Sequence, residues 1–586
     1  MQLYRVSPIS QNSRLFGLVF GVLLLVVLAF WQSNFLLRNL LSEPVAISPR
    51  GYFFKEPISV SLSSPINGDI RYTLDGSSPG SDSLIYREPV EINKTVVLQT
   101  TITDQNGQVL TKPQRQDFFI GTEHTLPIIS INLPPASLWD PEIGIYIEGN
   151  NNNHRQSGDK WERPAMMRWY EPDQKIGFEH TIGLRLHGNA MRGMAQKSFR
   201  IYIQDENGRE EKLTYPIFGE EGNRQHSSLI LRNGGGDAQN AFMRDRLAAE
   251  LVEQSDSTLD AQAARPVVLY LNGEYWGLYY VRERFDETYF EEKYRVDPEA
   301  LAVVDIPLDN GVNRGRAVGD TKQMEGEAAL YNRLLSDIRA CTHCASYSHV
   351  NSLSDINNLL DYLLFEFFFA NIDWPYNNTK AWRYRTEIAA PVESQMVPEL
   401  DGRWRWLLFD LDVSMGGSND STERMIKSAN GNPFTNFEDH EFPFRNLFFN
   451  RTFQKQWTER LAELTQTTLS GDNMTATVDR LAEEIRPEMP RQVERWGGVK
   501  ASESADLASQ AGMDQESAAG QNGQSELVDQ EALSHLGSYS APVPSVASVE
   551  EWERRVELLK DYLRARPAAF TQHSQDFFTQ ANTVTQ

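Results

Sequence analysis

The arrangement of apolar and polar residues divides most of the chain into an all-β region and a mixed region. From about residue 44 to 121, short runs alternate apolar and polar positions, at 58–62, 70–74 and 96–102. Turn-forming pairs separate these runs: Asn67-Gly68, Asp75-Gly76 and Asn106-Gly107. Alternation places every second side chain on one face of a strand, so this region is predicted to form a small β-sandwich.

From about residue 122 onward, strand-like and helix-like patterns mix. Residues 359–371 form a strongly apolar helical segment that is too short to span a membrane. We expect this helix to form core beneath a loop at 373–378. Residues 241–252 also have a helical period. Strand-like runs occur at 182–186, 199–203, 228–231, 266–271 and 277–281. Strands and helices that do not alternate strictly indicate an α+β fold.

The composition changes near the C-terminus. Residues 498–548 are rich in Ala, Ser, Gln, Gly and Glu and nearly lack aromatic residues, which predicts a disordered insertion. A helix is predicted from residue 549 to about 566, because apolar residues recur there at helical spacing. The predicted parts of the chain are a terminal segment at 1–40, a sandwich at 44–121, a main domain at 122–497, the insertion at 498–548 and the returning helix at 549–586.

The N-terminal segment contains one long apolar run, at residues 15–31. With Leu36 and Leu37 added, the run reaches about the twenty residues that span a bilayer. No small-x-small cleavage site follows it, so we predict an uncleaved transmembrane signal anchor with the N-terminus in the cytoplasm. The bulk of the chain would then be extracytoplasmic, in a periplasm or at a cell surface. A cleaved signal peptide is the alternative.

Net charge and cysteine content exclude some classes of function. The net charge of −24 argues against wholesale nucleic-acid binding, which requires a basic face. Only two cysteines are present, Cys341 and Cys344. Two thiols cannot fill a four-ligand zinc site, even with His343 added, so a local disulfide in an oxidising compartment is the favoured interpretation.

Two short segments contain residues suited to phosphoryl transfer. Asp373 stands five residues ahead of Asn378, and the apolar run 404–409 ends in Asp410-Leu411-Asp412. Kinases use these residue types in this order: an Asp near the acceptor hydroxyl, an Asn for the metal, and a further Asp that holds Mg²⁺. Taken alone, Asp373 could equally cap a loop, and a phosphatase or nuclease could use the same Asp-x-Asp pair.

A glycine-containing turn upstream is a candidate for holding phosphates. Residues 183–201 read as strand, turn and strand, and backbone amides between Gly188 and Gly193 could cover a phosphate group. Lys197, which opens the second strand, could pair with that group. Such hairpins are common and lysines are usually solvated, so this signal is weak without the others.

The sandwich region resembles a known module. Residues 70–79, Ile-Arg-Tyr-Thr-Leu-Asp-Gly-Ser-Ser-Pro, resemble the signature of chitobiase C-terminal-like modules. The resemblance implies an immunoglobulin-like sandwich that serves as an accessory domain. Contact with carbohydrate is one role for such a module. We favour a spacer, because the sequence shows no row of exposed aromatic residues.

The main domain resembles the CotH kinase family of atypical protein kinases over residues 125–570. The segment Tyr-Leu-Asn-Gly-Glu-Tyr-Trp-Gly at 270–277 is quite specific. The other matching segments are 183–201, 231–237, 244–245, Glu283, 371–378 and 409–412. The resemblance implies a protein-kinase-like fold that uses ATP and Mg²⁺ or Mn²⁺.

Roles for individual residues follow from this resemblance. Asp373 would be the catalytic-loop acid, and Asn378 and Asp410 would hold the metal with Asp412 in support. Nucleotide-binding roles are implied for Gly188, Lys197, Arg232 and Glu283. Arg244 is a further phosphate candidate, although Arg244-Asp245 could equally be a structural ion pair. Lys197 would contact the phosphates, and the resemblance implies a catalytic role for it as well.

The favoured hypothesis is a membrane-anchored protein kinase that transfers the γ-phosphate of ATP to Ser or Thr of cell-envelope or surface proteins. One alternative is a catalytically weak kinase-like domain in a structural or adhesion protein of the envelope. Another is a metal-dependent hydrolase that uses Asp410 and Asp412. Transfer of phosphate from ATP separates the first hypothesis from the other two.

Overall fold

The protein is described here by a computed structural model that covers residues 44–306, 308–309, 312–313, 316–318, 321–341, 344–375, 378–386, 397–417, 421–434, 442–497 and 545–584. Two compact units make up the chain: one contains residues up to Glu123 with 132–135 and 272–274, and the other contains the remainder. Over the described ranges, we find no helix with the length and apolar character needed to cross a bilayer. The predicted anchor at 15–31 and most of the predicted insertion lie outside these ranges.

The first unit is rich in β-structure. Its strands are β1 (Ala46–Ser48), β2 (Phe53–Phe54), β3 (Ile58–Ser63), β4 (Asp69–Thr73), β5 (Leu84–Ile85), β6 (Val90–Ile92), β7 (Val96–Thr103) and β8 (Gln114–Ile120). They form two sheets, with strand orders β1-β3-β6 and β2-β8-β7-β4-β5. Val60, Leu98 and Phe118 belong to one shared apolar core. The two-sheet organisation predicted from the alternating pattern is present.

The second unit begins with a closed barrel. The strands of this part of the chain are β9 (Ile128–Asn132), β10 (Arg163–Tyr170), β11 (Ile176–Leu186), β12 (Phe199–Gln204), β13 (Leu213–Thr214), β14 (Gln225–His226), β15 (Ser228–Arg232), β16 (Asp260–Ala261), β17 (Ala264–Leu271) and β18 (Glu274–Arg282). The barrel strands lie in the order β10-β11-β12-β15-β18-β17-β9. Leu184, Ile201 and Leu231 are buried, and each belongs to one of the strands predicted from apolar runs.

The remaining strands are β19 (Leu301–Ile306), β20 (Leu308–Asp309), β21 (Val312–Asn313), β22 (Arg316–Val318), β23 (Thr379–Tyr384) and β24 (Arg405–Leu408). A second sheet has the order β16-β24-β23-β19-β22, and β20 and β21 form a short hairpin. In the antiparallel pair of β23 and β24, Lys380 lies opposite Leu407. This register brings the start of β23 beside the end of β24.

The α-helices of the described residues accompany these two sheets. They are α1 (Ala136–Trp139), α2 (Arg244–Gln254), α3 (Glu287–Tyr294), α4 (Thr321–Arg339), α5 (Cys344–Leu353), α6 (Ile356–Phe369), α7 (Thr422–Ala429), α8 (Arg451–Gln466), α9 (Gly471–Ile485), α10 (Met489–Trp496) and α11 (Val549–Val584). Strands and helices thus occur together without strict alternation, as the sequence predicts.

Helix α6 is the apolar helix predicted near residues 359–371. Asp355 caps its first turn by accepting hydrogen bonds from the backbone amides of Asn357 and Asn358. All but one of its residues are buried. The helix ends where Ala370 adopts a left-handed conformation with φ of 53°. The segment that contains Asp373 follows this turn, so the predicted core helix directly precedes the loop in the sequence.

Helix α11 is longer than its sequence predicts. The expected end near residue 566 is wrong, because the helix continues through Pro567 to Val584. A proline inside a helix removes one backbone hydrogen bond at a cost of about 3 kcal/mol. Phe570 and Phe578, which are 0% and 7% exposed, supply the burial that offsets this cost. Trp552 and Tyr562 are also buried, so the helix packs on the domain as predicted.

The cysteine prediction stays open. Cys341 is buried at the end of α4. The side chain of Cys344 lies outside the described residues, so the disulfide remains a prediction.

Candidate active site

Two carboxylates follow strand β24 and converge on one guanidinium. Asp410 adopts a positive φ of 65°, which turns the chain sharply after the strand. The Nη2 atom of Arg232, at the end of β15, donates to Asp410 and lies 2.6 Å from Oδ2 of Asp412. The same Asp412 oxygen accepts a hydrogen bond of 2.6 Å from the amide of Gly236. Strand β24 and the barrel therefore meet at a cluster of opposite charges.

Burial determines the electrostatics of this cluster. It raises the pKa of the Asp410 carboxyl above its ordinary value, and the neighbouring Asp412 and Asp245 carboxylates add to that shift while Arg232 opposes it. The Asp410 side chain is 26% exposed, and a partly buried carboxylate beside other carboxylates is stabilised by a nearby cation. Oxygen ligands of this kind suit Mg²⁺, so Asp410 fits the role of metal ligand predicted for it.

Two further ion pairs involve the first two residues of α2. Asp245, in the first turn of α2, pairs with Arg282 and accepts a hydrogen bond of 3.0 Å from the amide of Leu411. It therefore holds the backbone between the two site carboxylates. Arg244 is 1% exposed and pairs with Asp237 rather than with Asp245. The sequence left Arg244 open between a phosphate contact and an ion pair with Asp245, and the structure gives it a different partner.

The loop after α6 holds Asp373 and Asn378. The side-chain oxygen of Asn371 accepts a hydrogen bond of 3.2 Å from the amide of Asp373. Asn378 donates from Nδ2 to Oδ2 of Asp373, also at 3.2 Å. The carbonyl oxygen of Asn378 is the atom of that side chain that suits a cation. The two residues predicted to act together are thus in direct contact.

Backbone contacts tie this loop to the segment after β24. The amide of Ile372 donates to the carbonyl of Val413 at 3.3 Å, and the amide of Met415 donates to the carbonyl of Phe369 at 2.7 Å. Lys380 lies opposite Leu407, so the start of β23, directly after Asn378, lies close to the end of β24. The ammonium of Lys380 lies 4.4 Å from the centre of the Phe409 ring. The structure therefore places the loop that holds Asp373 and Asn378 next to the segment that holds Asp410 and Asp412.

One face of the barrel strands carries several arginines, of which Arg185 is paired with Asp159 and Glu162. Residues opposite each other in neighbouring strands share a face of the sheet. Arg185 of β11 lies opposite Arg200 of β12, and Arg200 lies opposite Ile230, two residues before Arg232. His187 lies on this face too, with Nδ1 3.2 Å from Arg200. Burial and the nearby Arg200 and Arg232 hold the pKa of His187 well below its ordinary value.

Lys197 lies elsewhere. Its ammonium donates to the carbonyls of Arg192 and Met194 at 2.8 and 2.7 Å and stands over the ring of Tyr146. Burial lowers the pKa of Lys197 to about 8. Within the described residues, no contact joins this ammonium to Asp410 or Asp412. Its predicted contact with phosphates stays a prediction.

Gly188 follows His187 directly, at the end of β11. Its φ of 93° is open to glycine and strained for other residues. Its carbonyl accepts a hydrogen bond from Nε of Arg192. The predicted use of this turn for phosphate binding stays a prediction, although the turn continues the barrel face that carries Arg185 and Arg200.

Glu283 lies just beyond β18. Its carboxylate accepts hydrogen bonds from the side-chain amide of Asn223 at 2.8 Å and from the backbone amide of Ala263 at 3.2 Å. Burial raises the pKa of Glu283 to about 7, against the effect of these donors. The side chain connects the ends of neighbouring chain segments, and its predicted place in a nucleotide pocket stays a prediction.

Comparison with known families agrees with this geometry. The family model described as CotH kinase protein matches residues 184–570, which is more than half of the chain. The chain belongs to the CotH kinase family. The model of the chitobiase/beta-hexosaminidase C-terminal domain matches residues 49–111, in the β-rich unit. No curated protein matches the chain significantly.

Sequence reasoning did not single out Arg200 or Lys380, although both lie close to predicted residues. Their signal was their position: Arg200 follows Lys197 by three residues, and Lys380 follows Asn378 by two. A cationic residue on the same strand face as a candidate ligand is detectable only once the strand register is known.

Gly235 controls the position of Asp412, and its substitution gives a testable result. A Cβ atom at Gly235 would lie 1.8 Å from Oδ2 of Asp412. We expect Gly235→Ala to cost about 1–2 kcal/mol for the left-handed backbone, plus about 1–3 kcal/mol for displacing Asp412. Urea unfolding measures the change in the free energy of unfolding.

Gly417→Ala is the matched control. Gly417 has a φ of 55°, against 56° at Gly235, and a Cβ atom there would have no heavy atom within 4 Å. Both variants carry the same backbone strain, so their difference isolates the contacts with Asp412 and with Nη2 of Arg232, which would lie 2.7 Å from the new Cβ atom. Equal losses of stability in the two variants would contradict the role given to Gly235.

The shifted pKa of Glu283 predicts a pH-dependent stability. Glu283 has a pKa of about 7 in the folded protein and 4.5 as its ordinary value. The folded state therefore binds more protons between these values, and stability falls as pH rises from about 4.5 to 7, by up to about 3 kcal/mol from this group. Glu283→Gln is expected to remove this part of the fall. Thermal unfolding of both proteins at pH 5 and pH 7.5 measures it, and parallel pH dependences would show the shift to be absent.

Proposed function

We propose that this CotH kinase family protein transfers the γ-phosphate of ATP to Ser or Thr hydroxyls of proteins, with Mg²⁺ or Mn²⁺ as cofactor. The observation that carries the proposal is the convergence of two loops, one holding Asp373 with Asn378 and the other holding Asp410 with Asp412, beside a cationic face of the barrel. Phosphoryl transfer depends chiefly on positioning and on neutralising charge, and this arrangement has groups for both tasks.

Each side chain has a role that its surroundings support. Asp373 orients the acceptor hydroxyl and accepts its proton, because its carboxylate is half-exposed and held by Asn378. Asp410 and the carbonyl oxygen of Asn378 would hold the metal, with Asp412 in support. When bound, the metal ion supplies positive charge to the phosphate oxygens. Arg232, already aligned by two carboxylates, is placed to bind a phosphate oxygen once the metal shares their charge.

A further cation of the barrel face, Arg200, favours an anionic ligand. Arg200 contacts Tyr202 and His187, whereas the neighbouring Arg185 is already paired with Asp159 and Glu162. In a protein whose net charge is −24, a cation beside Arg232 attracts an anion such as the triphosphate of ATP. We place the nucleotide along this face.

We further propose that the enzyme acts outside the cytoplasm on proteins of the cell envelope, anchored to the membrane by residues 15–31. This part rests on the apolar run in the sequence. A carbohydrate contact by the β-rich unit remains one of its candidate roles, and we assign no nucleic-acid partner. Fusion of a reporter active only outside the cytoplasm, placed after residue 43, tests the location.

Calorimetric titration of the purified full chain with ATP and Mn²⁺ tests the site itself. We expect saturable binding by the wild type and its loss in Asp410→Ala. Binding without phosphate transfer would favour the alternative of a catalytically weak kinase-like domain. Release of phosphate from simple esters without ATP would favour a hydrolase that uses Asp410 and Asp412.

A further inference from the structure

Helix α6 contains an acid that its packing does not explain. Glu366 is 1% exposed, on a helix formed mostly by Leu and Phe. Its Oε2 atom accepts a hydrogen bond of 3.0 Å from the side-chain amide of Asn371, and its buried Oε1 atom has no hydrogen-bond partner within the described residues. No salt bridge involving Glu366 occurs in the described part of the chain.

A second buried acid on the same helix, Asp361, has the cationic partner expected of a carboxylate that stabilises the fold. Asp361 is 6% exposed and receives two hydrogen bonds, of 2.8 and 3.0 Å, from the guanidinium of Arg460. This two-point ion pair neutralises the buried charge. Glu366 has no such cation, so the two buried acids of α6 differ in what they do.

Leaving a carboxyl in an apolar core with one amide partner costs stability, which leucine at this position would avoid. Burial raises the pKa of Glu366 well above its ordinary value, and the nearby carboxylates of Asp245 and Asp410 act in the same direction. The protonated, neutral form is therefore favoured. A neutral carboxyl can hold the amide of Asn371 without placing a further negative charge beneath the site.

The contact made by Glu366 leads directly to Asp373. Asn371 is 6% exposed, so its side-chain amide depends on Glu366 as its buried acceptor. The other end of the same side chain, Oδ1, accepts the hydrogen bond from the backbone amide of Asp373. A displaced Asn371 would therefore release the backbone of the residue whose carboxylate meets Asn378.

We propose that Glu366 is a positioning residue of the phosphotransfer site: it orients Asn371, and Asn371 holds the backbone of Asp373. The inference rests on the proposed function for its effect on rate, and on the contacts alone for its effect on the loop. It assigns the buried acid of α6 to the reaction rather than to the stability of the fold.

Kinetics of three variants test the effect on rate. Glu366→Leu removes the acceptor and should lower kcat by about 10- to 100-fold with KM for ATP changed less than about threefold, because misplacement of about 1 Å has effects of this size. Glu366→Gln keeps an oxygen for Asn371 and should restore kcat to within about threefold of wild type. Asp361→Asn is the control: it weakens the ion pair with Arg460 and should lower stability without lowering kcat.

Hydrogen exchange at the backbone amide of Asp373 tests the loop without requiring activity. Glu366→Leu should speed this exchange by at least about tenfold, while Glu366→Gln and Asp361→Asn leave it near the wild-type rate. If the wild type transfers no phosphate, the proposed function fails and this measurement alone decides the present inference. An unchanged exchange rate in Glu366→Leu, or a kcat equal to that of the wild type, overturns it.

Discussion

Asp373→Asn is expected to lower the rate of phosphate transfer by about 10²- to 10⁴-fold, the range typical for loss of a general base. Asparagine keeps the shape of the side chain and can still meet Asn378, but it cannot accept the proton of the acceptor hydroxyl. Binding of ATP with Mn²⁺ should change by less than about threefold, because Asp373 is not among the groups proposed to hold the metal or the nucleotide. Single-turnover transfer measured alongside calorimetric binding separates the two effects.

Asp173→Asn is the control for this variant. Asp173 is a turn aspartate with an exposed side chain, and its only described ion pair is with the exposed Lys175. Its loss should leave both transfer and binding near the wild-type values. A rate in Asp373→Asn within about threefold of the wild type would contradict the role given to this carboxylate.

Arg566→Met is expected to have the largest effect on stability. The Arg566 guanidinium on α11 is 1% exposed and donates to four carbonyls, those of Phe367, Phe368, Ala429 and Gly431, at 2.7–2.9 Å. These carbonyls close the C-terminal ends of α6 and α7, where a cation is favoured. Methionine would leave them buried without donors, at a cost of at least about 3 kcal/mol in the free energy of unfolding.

The same change should disturb the site, because α6 leads into the loop that holds Asp373. We expect a fall in the rate of transfer under conditions where the variant is still folded. Arg564→Met is the control on the same helix, since Arg564 is 50% exposed and pairs with Asp561 at the surface. It should cost less than about 1 kcal/mol. Equal losses in the free energy of unfolding of the two variants, measured with urea, would contradict the role of Arg566 as the donor to the carbonyls at the ends of α6 and α7.

Much of the fold was predictable because buried faces of strands and helices produce a regular pattern of apolar residues in the sequence. The alternation at 58–62 and 96–102 became β3 and β7, and the apolar run at 359–371 became the core helix α6. The end of α11 was not predictable from Pro567, since the burial of Phe570 and Phe578 that offsets its cost depends on helices distant in the sequence.

The candidate site also has parts that the sequence predicts and parts that depend on the tertiary fold. Asp373 and Asn378 are five residues apart, so their contact follows from one short loop. The convergence of Arg232 with Asp410 joins positions 178 residues apart, and only the family resemblance placed them in one site. The direction of the Lys197 side chain was not predictable from its position at the start of a strand. Its ammonium donates to the carbonyls of the preceding turn and does not lie on the strand face that carries Arg200.

The role of Glu366 could not be predicted from the sequence, although its unusual position could be recognised. One acid in an otherwise apolar helix is visible in the printed chain. Whether it pairs with a cation, as Asp361 does, or holds an amide depends on what the fold places opposite it.

Transfer of the labelled γ-phosphate of ATP by the purified full chain, in Mg²⁺ or Mn²⁺ and with a mixture of cell-envelope proteins as acceptor, tests the central claim most directly. Asp410→Ala provides the matched protein. We predict label on Ser or Thr with the wild type and at least about 100-fold less with Asp410→Ala, because the metal ligand is lost. No label with the wild type, or equal label with both proteins, would contradict the account.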